Sequence, residues 1–340
     1  MPGREEGGEG EPARDPGAPG PPDLPPADPP PPLRPSLESV RPVAKPRTTH
    51  PALVELGALL DPAAPPPDQR PVTRRDLAGA DAFVLEHVLS PSQCRELVRR
   101  SEAARYTPWN AAAKTDYRSA CTVEVLHPAL AAYVWGRVRH LVPPAVRIAE
   151  GQRRWERDLG GEWRASAVNE HMLFARYGPG GHFSPHTDGY TIVDFNTRSL
   201  YSLLVYLNDC ADGGRTRLFA HTAEGADVEY ELDAGGRFRV PESRLVNSAP
   251  AAAGSCLAFF QDVPHEGEPV GPGAEKYLIR TDLMYRRDPP VCDSPQDVEA
   301  YRLFREAEIM EGDGDSMGAL KLYQRAVRLS PALASVYGYG

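Results

Sequence analysis

The chain has 340 residues, a net charge of -9 with its histidines neutral, and 37 prolines, 20 of which fall before residue 71. This acidic balance excludes a chain-wide basic surface of the kind nucleic acid requires, and no run approaches the roughly 18 apolar residues of a membrane span. The five cysteines, Cys94, Cys121, Cys210, Cys256 and Cys292, are odd in number and contain no C-x-x-C pair, which argues against a disulfide framework and against a structural zinc site.

Residues 1–70 are rich in Pro, Gly and acid and poor in aromatic and β-branched residues. Such a segment buries too little apolar surface to offset the entropy of ordering it, so a disordered, partly polyproline tail is expected. Its PPPP run is a candidate ligand for a proline-reading partner, against the plainer reading of a spacer. The first residues are charged and glycine-rich rather than basic and then apolar, so a cytoplasmic or nuclear location is expected.

The globular part is expected over residues 71–290. Phe83 to Leu89 reads as a strand; Ser90 is placed to cap a helix with Pro91 at its first position, and Leu97 and Val98 mark its apolar stripe. A second helix is predicted in "HPALAAYVWGRVRHLV". Short β-like runs follow: "EHMLFARY", the stretch around residues 177–190, "RSLYSLLVYLND", "DVEYELD", "GSCLAFFQD" and "KYLIRTDLMY". Strands at regular spacing without helices between them indicate an antiparallel sandwich or barrel, so the fold class is α+β: supporting N-terminal helices, then a jelly-roll β core. Residues 296–340 return to a helical pattern. Leu303, Ala307, Met310, Ala319, Tyr323, Ala326 and Pro331 stand at offsets that resemble a single tetratricopeptide repeat around a "GDGDS" turn. One repeat cannot bury its own face, so the hairpin either docks on the β core or is left from a truncated array; the plainer reading is an amphipathic hairpin of no special family.

The stretch "YGPGGHFSPHTDGY", residues 177–190, carries the chemistry. A lone His-x-Asp is common on polar surface strands. In a strand, however, residues 182, 184, 186 and 188 share one face, so His186 and Asp188 are predicted to point together into the core. His265, in "QDVPHEGEPV", supplies a third ligand about eighty residues on. Two histidines and a carboxylate suit non-haem Fe(II), because they leave coordination positions open. Lys276 and Arg280 lie four apart on the next strand, again on one face. A buried cation lacking a protein partner is costly, whereas one awaiting a ligand carboxylate makes chemical sense; the alternative is that one of them pairs with Asp282. His182 is expected to wall the substrate cleft rather than act as a fourth ligand. Asn169 is a candidate substrate contact or a structural amide.

Together, "RYGPGGHFSPHTD", "YSLLVYLND", "GGRTRLF", "AFFQDVPHEGEPV" and "KYLIRTDLMYRR" resemble the prolyl 4-hydroxylase-type branch of the Fe(II)- and 2-oxoglutarate-dependent dioxygenases, over about Phe83 to Arg287. The resemblance implies a double-stranded β-helix fold and iron held by His186, Asp188 and His265. It places Tyr177 and Tyr206 near 2-oxoglutarate, whose distal carboxylate meets Lys276 or Arg280, and the glycines of "DGGRTRLF" in the turn into the next strand. It also implies hydroxylation, because Asp188 stands where a related halogenating group has a small residue, and L-ascorbate as an accessory reductant. The implied substrate is a prolyl residue of a protein or peptide, with a small molecule as the alternative; the hairpin and the tail are candidate partner-binding segments. Two rival readings are an inactive interaction protein and a zinc-dependent hydrolase. The complete ligand set argues against the first, and the cation pair after His265 has no task in the second.

Overall fold

Ser90 opens the first helix as its neighbours dictate. The Ser90 hydroxyl accepts from the Gln93 amide at 3.2 Å, and the Gln93 side chain accepts in return from the Ser90 amide at 2.8 Å. Pro91 fills the first helical position, where no amide proton is needed.

The computed structural model describes residues 53, 56–61, 63–110, 117–222, 230–234 and 236–339. The chain runs through β1 (Thr73–Asp76), β2 (Ala82–Glu86), α1 (Pro91–Ala103), β3 (Thr107–Pro108), β4 (Arg118–Ser119), β5 (Cys121–Leu126) and α2 (Pro128–Val138). It continues with β6 (Ala145–Ile148), β7 (Gly161–Val168), β8 (His171–Tyr177), β9 (His182–His186), β10 (Ile192–Asp194), β11 (Thr197–Tyr206) and β12 (Thr216–Phe219). The last strands are β13 (Glu231–Leu232), β14 (Phe238–Arg239), β15 (Leu245–Ala249), β16 (Cys256–Phe260), β17 (His265–Gly267) and β18 (Lys276–Arg287). Three helices close the chain: α3 (Pro295–Gly312), α4 (Ser316–Leu329) and α5 (Pro331–Val336).

The strands form a jelly-roll core of two antiparallel sheets. The larger has the order β1-β2-β16-β11-β18-β8-β5-β3, with β10 on β11 and with β7 joining β18 to β6; the smaller has the order β15-β12-β17-β9-β4. β11 and β16 lie centrally and are buried along almost their whole length, which is why their apolar runs show little alternation. β18 is buried along most of its length as well, but it carries polar residues on one face. Lys276, Leu278, Arg280 and Asp282 all face one cavity of about 390 Å³, whose walls draw on both sheets. Of the expected "DVEYELD" strand, residues 227–229 lie outside the described residues. Only Glu231–Leu232 is extended there, in an exposed two-residue ladder with β14, separate from both large sheets.

The expectation of a disordered tail reaching residue 70 fails at its C-terminal end. Leu53, Leu56 and Leu60 are buried in the main core, and the Leu59 carbonyl accepts from the Gln93 side chain at 2.7 Å. Asp68 accepts from the Ser92 amide at 2.8 Å, and the Gln69 side chain accepts from the Tyr133 hydroxyl at 2.8 Å. Residues 1–52 lie outside the described residues.

The C-terminal hairpin packs on the β core. Phe195, in the turn between β10 and β11, packs edge-on against Tyr301 with ring centroids 5.2 Å apart, in a cluster with Ala300, Leu303, Phe304, Ala326 and Leu333. No helix among the described residues is long and apolar enough to cross a membrane.

Candidate active site

A β-bulge sets the site. His186 is register partner to His265 and Phe183 to Gly267, so three steps along β9 match two along β17. The extra residue falls in the segment containing Pro185, which has no amide proton to give to a ladder. It reverses the facing of the strand, so Phe183 and His186 lie on the same side with rings stacked at 3.7 Å and 22°. The expected sharing of one face by residues 182, 184, 186 and 188 is thereby corrected. His182 is buried, its Nδ1 3.1 Å from the Gly180 carbonyl, and it does not line the cavity. Asp188 lies beyond the end of β9, where its amide donates to the Gln261 carbonyl at 3.0 Å.

His186, Asp188 and His265 converge nonetheless: one ligand atom of each lies within 4.8 Å of the others. The His186 Nδ1 is 2.7 Å from the Ser184 carbonyl and the His265 Nδ1 is 3.0 Å from the Val263 carbonyl. These contacts assign the ring proton to Nδ1 in both and leave each Nε2 as a lone-pair donor. The two Nε2 atoms stand 3.6 and 3.9 Å from the Asp188 carboxylate. Ser202 donates its hydroxyl to Asp188 Oδ2 at 2.5 Å and fixes that carboxylate. Burial, with His186 beside it, pushes the His265 imidazole down to about 4. Burial opposes ionisation of Asp188, but the Arg280 guanidinium overcomes it and holds the carboxyl well below its usual range. Two imidazoles with Nε2 turned inward and one carboxylate, aimed at a common point and held from behind, fit a divalent ion with open coordination positions.

The two cations of β18 differ in their surroundings. Lys276 is only 3% exposed, and no carboxylate pairs with it among the described residues. Its Nζ lies 5.6 and 5.4 Å from the ring centroids of Tyr177 and Tyr206, and burial pushes it down to about 8. Gly214, at φ +65°, lets the chain pass close behind Lys276: a Cβ there would sit 2.8 Å from Cys210 Sγ and 3.4 Å from Lys276 Cδ. Arg280, by contrast, pairs with Asp282 at 3.2 Å and lies 3.7 Å from Asp188 Oδ2.

Tyr177 lines the cavity, but Tyr206 does not. Tyr206 lies against Lys276 and its hydroxyl is 2.8 Å from Thr216 Oγ1, which does line it. Asn169 is buried and structural: its side chain donates to Asp282 Oδ2 at 3.0 Å, and it forms part of the cavity wall. Trp109, Arg118, Glu124 and Phe183 also line the cavity without having been singled out from sequence. The Arg118 guanidinium lies over the rings of Trp109 and Phe183 at 4.8 and 4.3 Å and donates to the Tyr177 hydroxyl at 3.1 Å. β4, which carries it, is two residues long, too short to show a period.

Residues 172–281, a span that holds His186, Asp188, His265, Lys276 and Arg280, match the family model described as the 2OG-Fe(II) oxygenase superfamily. This segment is a 2OG-Fe(II) oxygenase domain, an oxidoreductase domain whose cofactors are Fe(II) and 2-oxoglutarate. Among curated proteins none matches the chain. Solved structures similar to it include a Pseudomonas putida prolyl-4-hydroxylase, at 20% identity over 62% of this chain and 94% of that one, with a TM-score of 0.36. A viral collagen prolyl hydroxylase from Paramecium Bursaria Chlorella virus-1, in complex with 2OG, is similar at 16% identity over 62% and 99% of the two chains, with a TM-score of 0.34. A Trichoplax adhaerens prolyl hydroxylase, in complex with a hypoxia inducible factor peptide fragment, is similar at 16% identity over 61% and 84%, with a TM-score of 0.37.

Proposed function

We propose that His186, Asp188 and His265 hold the iron, that Lys276 receives the distal carboxylate of 2-oxoglutarate, and that the enzyme hydroxylates a prolyl residue of a protein or peptide. The observation that carries the cofactor assignment is the ammonium of Lys276: buried, without a carboxylate partner among the described residues, and facing the same cavity as the triad. A buried cation of this kind is stabilised by an anionic ligand. Arg280 is the weaker candidate, because Asp282 already meets it.

When bound, iron and 2-oxoglutarate activate dioxygen for insertion of a hydroxyl group into a C–H bond of the substrate. The protein contributes position and electrostatics. The Ser184 and Val263 carbonyls hold the two imidazoles in one tautomer, Ser202 orients the Asp188 carboxylate, and the rings of Tyr177 and Tyr206 flank buried Lys276. Trp109 and Phe183 line the cavity with their rings tilted 46° to each other and the Arg118 guanidinium over both. The sequence resemblance supports the prolyl reading.

Anaerobic addition of Fe(II) and 2-oxoglutarate should give a weak visible charge-transfer band. Mass spectrometry of proline-containing peptides, with and without 2-oxoglutarate, should then show a gain of one oxygen that requires the cosubstrate. Absence of the band refutes the cofactor assignment, and oxygen gain confined to other residues refutes the prolyl assignment.

A further inference from the structure

Arg280 and Lys276 stand four residues apart on β18, about 13 Å at roughly 3.3 Å per residue, and belong to different rows of the large sheet. Lys276 is register partner to Tyr177. Arg280 is partner to Leu173, which is partner in turn to Glu124, so Glu124, Leu173 and Arg280 form one row of the cavity wall across β5, β8 and β18. The surroundings of Arg280 leave part of it uncommitted. Asp282 accepts from three neutral donors, Asn169 at 3.0 Å, Thr191 at 2.7 Å and Gln261 at 3.1 Å, so its charge does not depend on the guanidinium alone. Both ion pairs of Arg280 run through Nη2, while Nε and Nη1 make no hydrogen bond among the described residues and the side chain remains 29% exposed. Once Asp188 is committed to a divalent ion, the guanidinium faces a second positive charge, and an incoming anion offsets that repulsion.

We propose that Arg280 is a specificity determinant that receives a carboxylate of the primary substrate on its open Nε–Nη1 edge. The planar fork of a guanidinium suits a carboxylate. The proposal rests on the reading that iron and 2-oxoglutarate occupy the remainder of the cavity. The carboxylate comes either from an acidic side chain beside the target residue of a peptide or from the terminal carboxylate of a free amino acid, whose ammonium group then has Glu124 in the same row.

The test uses the full chain loaded anaerobically with Fe(II) and 2-oxoglutarate. One arm measures retention of a library of blocked peptides with a central proline and randomised flanks; the other measures calorimetric binding of free L-proline against L-prolinamide. Wild type should favour Asp or Glu over Asn or Gln beside the proline, or L-proline over its amide, by about ten- to hundredfold. Which arm shows the preference identifies the source of the carboxylate. Arg280→Gln should abolish the preference while keeping the Fe(II)–2-oxoglutarate absorption band, and Arg280→Lys should retain part of it. No preference in either arm, or an equal preference in Arg280→Gln, overturns the proposal. So does a raised 2-oxoglutarate requirement of Arg280→Gln in the absence of substrate, which assigns Arg280 to the cosubstrate. Loss of the band in wild type refutes the underlying cofactor reading instead.

Discussion

His186 stands directly opposite His265 in the ladder between β9 and β17, with the two imidazole centroids 4.2 Å apart. The ladder sets this separation before any metal arrives. His186→Ala and Asp188→Ala should therefore lose bound iron and 2-oxoglutarate decarboxylation while keeping the melting temperature of the metal-free protein within a few degrees. Substantial decarboxylation in both variants refutes the ligand assignment. His182→Ala, which changes a residue outside the cavity, should retain iron.

Ser202 is the support of Asp188, with a contact of 2.5 Å. Removal of such a partner lowers metal affinity by about ten- to hundredfold in comparable sites. Ser202→Ala should show this loss in an Fe(II) titration while remaining folded; unchanged iron affinity shows that Asp188 needs no such support.

Lys276→Met should raise the 2-oxoglutarate requirement by about ten- to hundredfold, the equivalent of one charge-assisted contact, with iron binding unchanged. Arg280→Met should act on stability through Asp282 and on substrate, not on 2-oxoglutarate in the absence of substrate. An unaltered 2-oxoglutarate dependence in Lys276→Met removes Lys276 from the cosubstrate site.

The same lysine predicts a pH dependence. Its folded value of about 8 lies below the ordinary 10.5. Below pH 8 the ammonium is charged in both the folded and the unfolded chain. Between about 8 and 10.5 the unfolded chain holds a proton that the folded chain has lost, so the stability of the cofactor-free protein rises with pH, by about 3 kcal/mol from this group. Binding of 2-oxoglutarate should weaken over the same window as the positive charge is lost. Denaturant midpoints of wild type and Lys276→Met across this range check the first expectation, and 2-oxoglutarate titrations check the second; parallel curves for the two proteins refute it.

Removal of residues 1–50 should leave the melting temperature unchanged, whereas removal of residues 1–71 should lower it clearly. The second cut takes away buried Leu53, Leu56 and Leu60 and the contacts of Asp68 and Gln69 with α1 and α2. Equal melting temperatures for the two deletions show that this segment adds nothing to the core.

The long apolar strands β11 and β18 and the capped helix α1 were legible because each is governed by local pattern: alternation, apolar run or a Ser-Pro start. The convergence of His186, Asp188, His265, Lys276 and Arg280 on one cavity followed from residue type and spacing. Strict alternation failed at Pro185: a proline inside a strand marks an edge or a bulge, but only the pairing with β17 decides which. Leu53 to Leu60 were hidden by surrounding prolines, which dominate any average over a window. The division of roles between Lys276 and Arg280 depends on Asn169, Thr191 and Gln261 converging on Asp282 from three separate segments, and no spacing along the chain encodes that.

β18 is the last strand of the chain, yet it lies at the centre of the larger sheet, between β11 and β8. During synthesis His186 and Asp188 leave the ribosome well before the strand that supplies Lys276 and flanks β8, while His265 comes just ahead of that strand. A nascent chain that ends before β18 therefore has His186 and Asp188 without the framework that gathers the cavity around them. Assembly of the site waits on a long-range closure, the slow kind of folding step. Competence to bind the cosubstrate then appears late, once β18 has closed between β11 and β8.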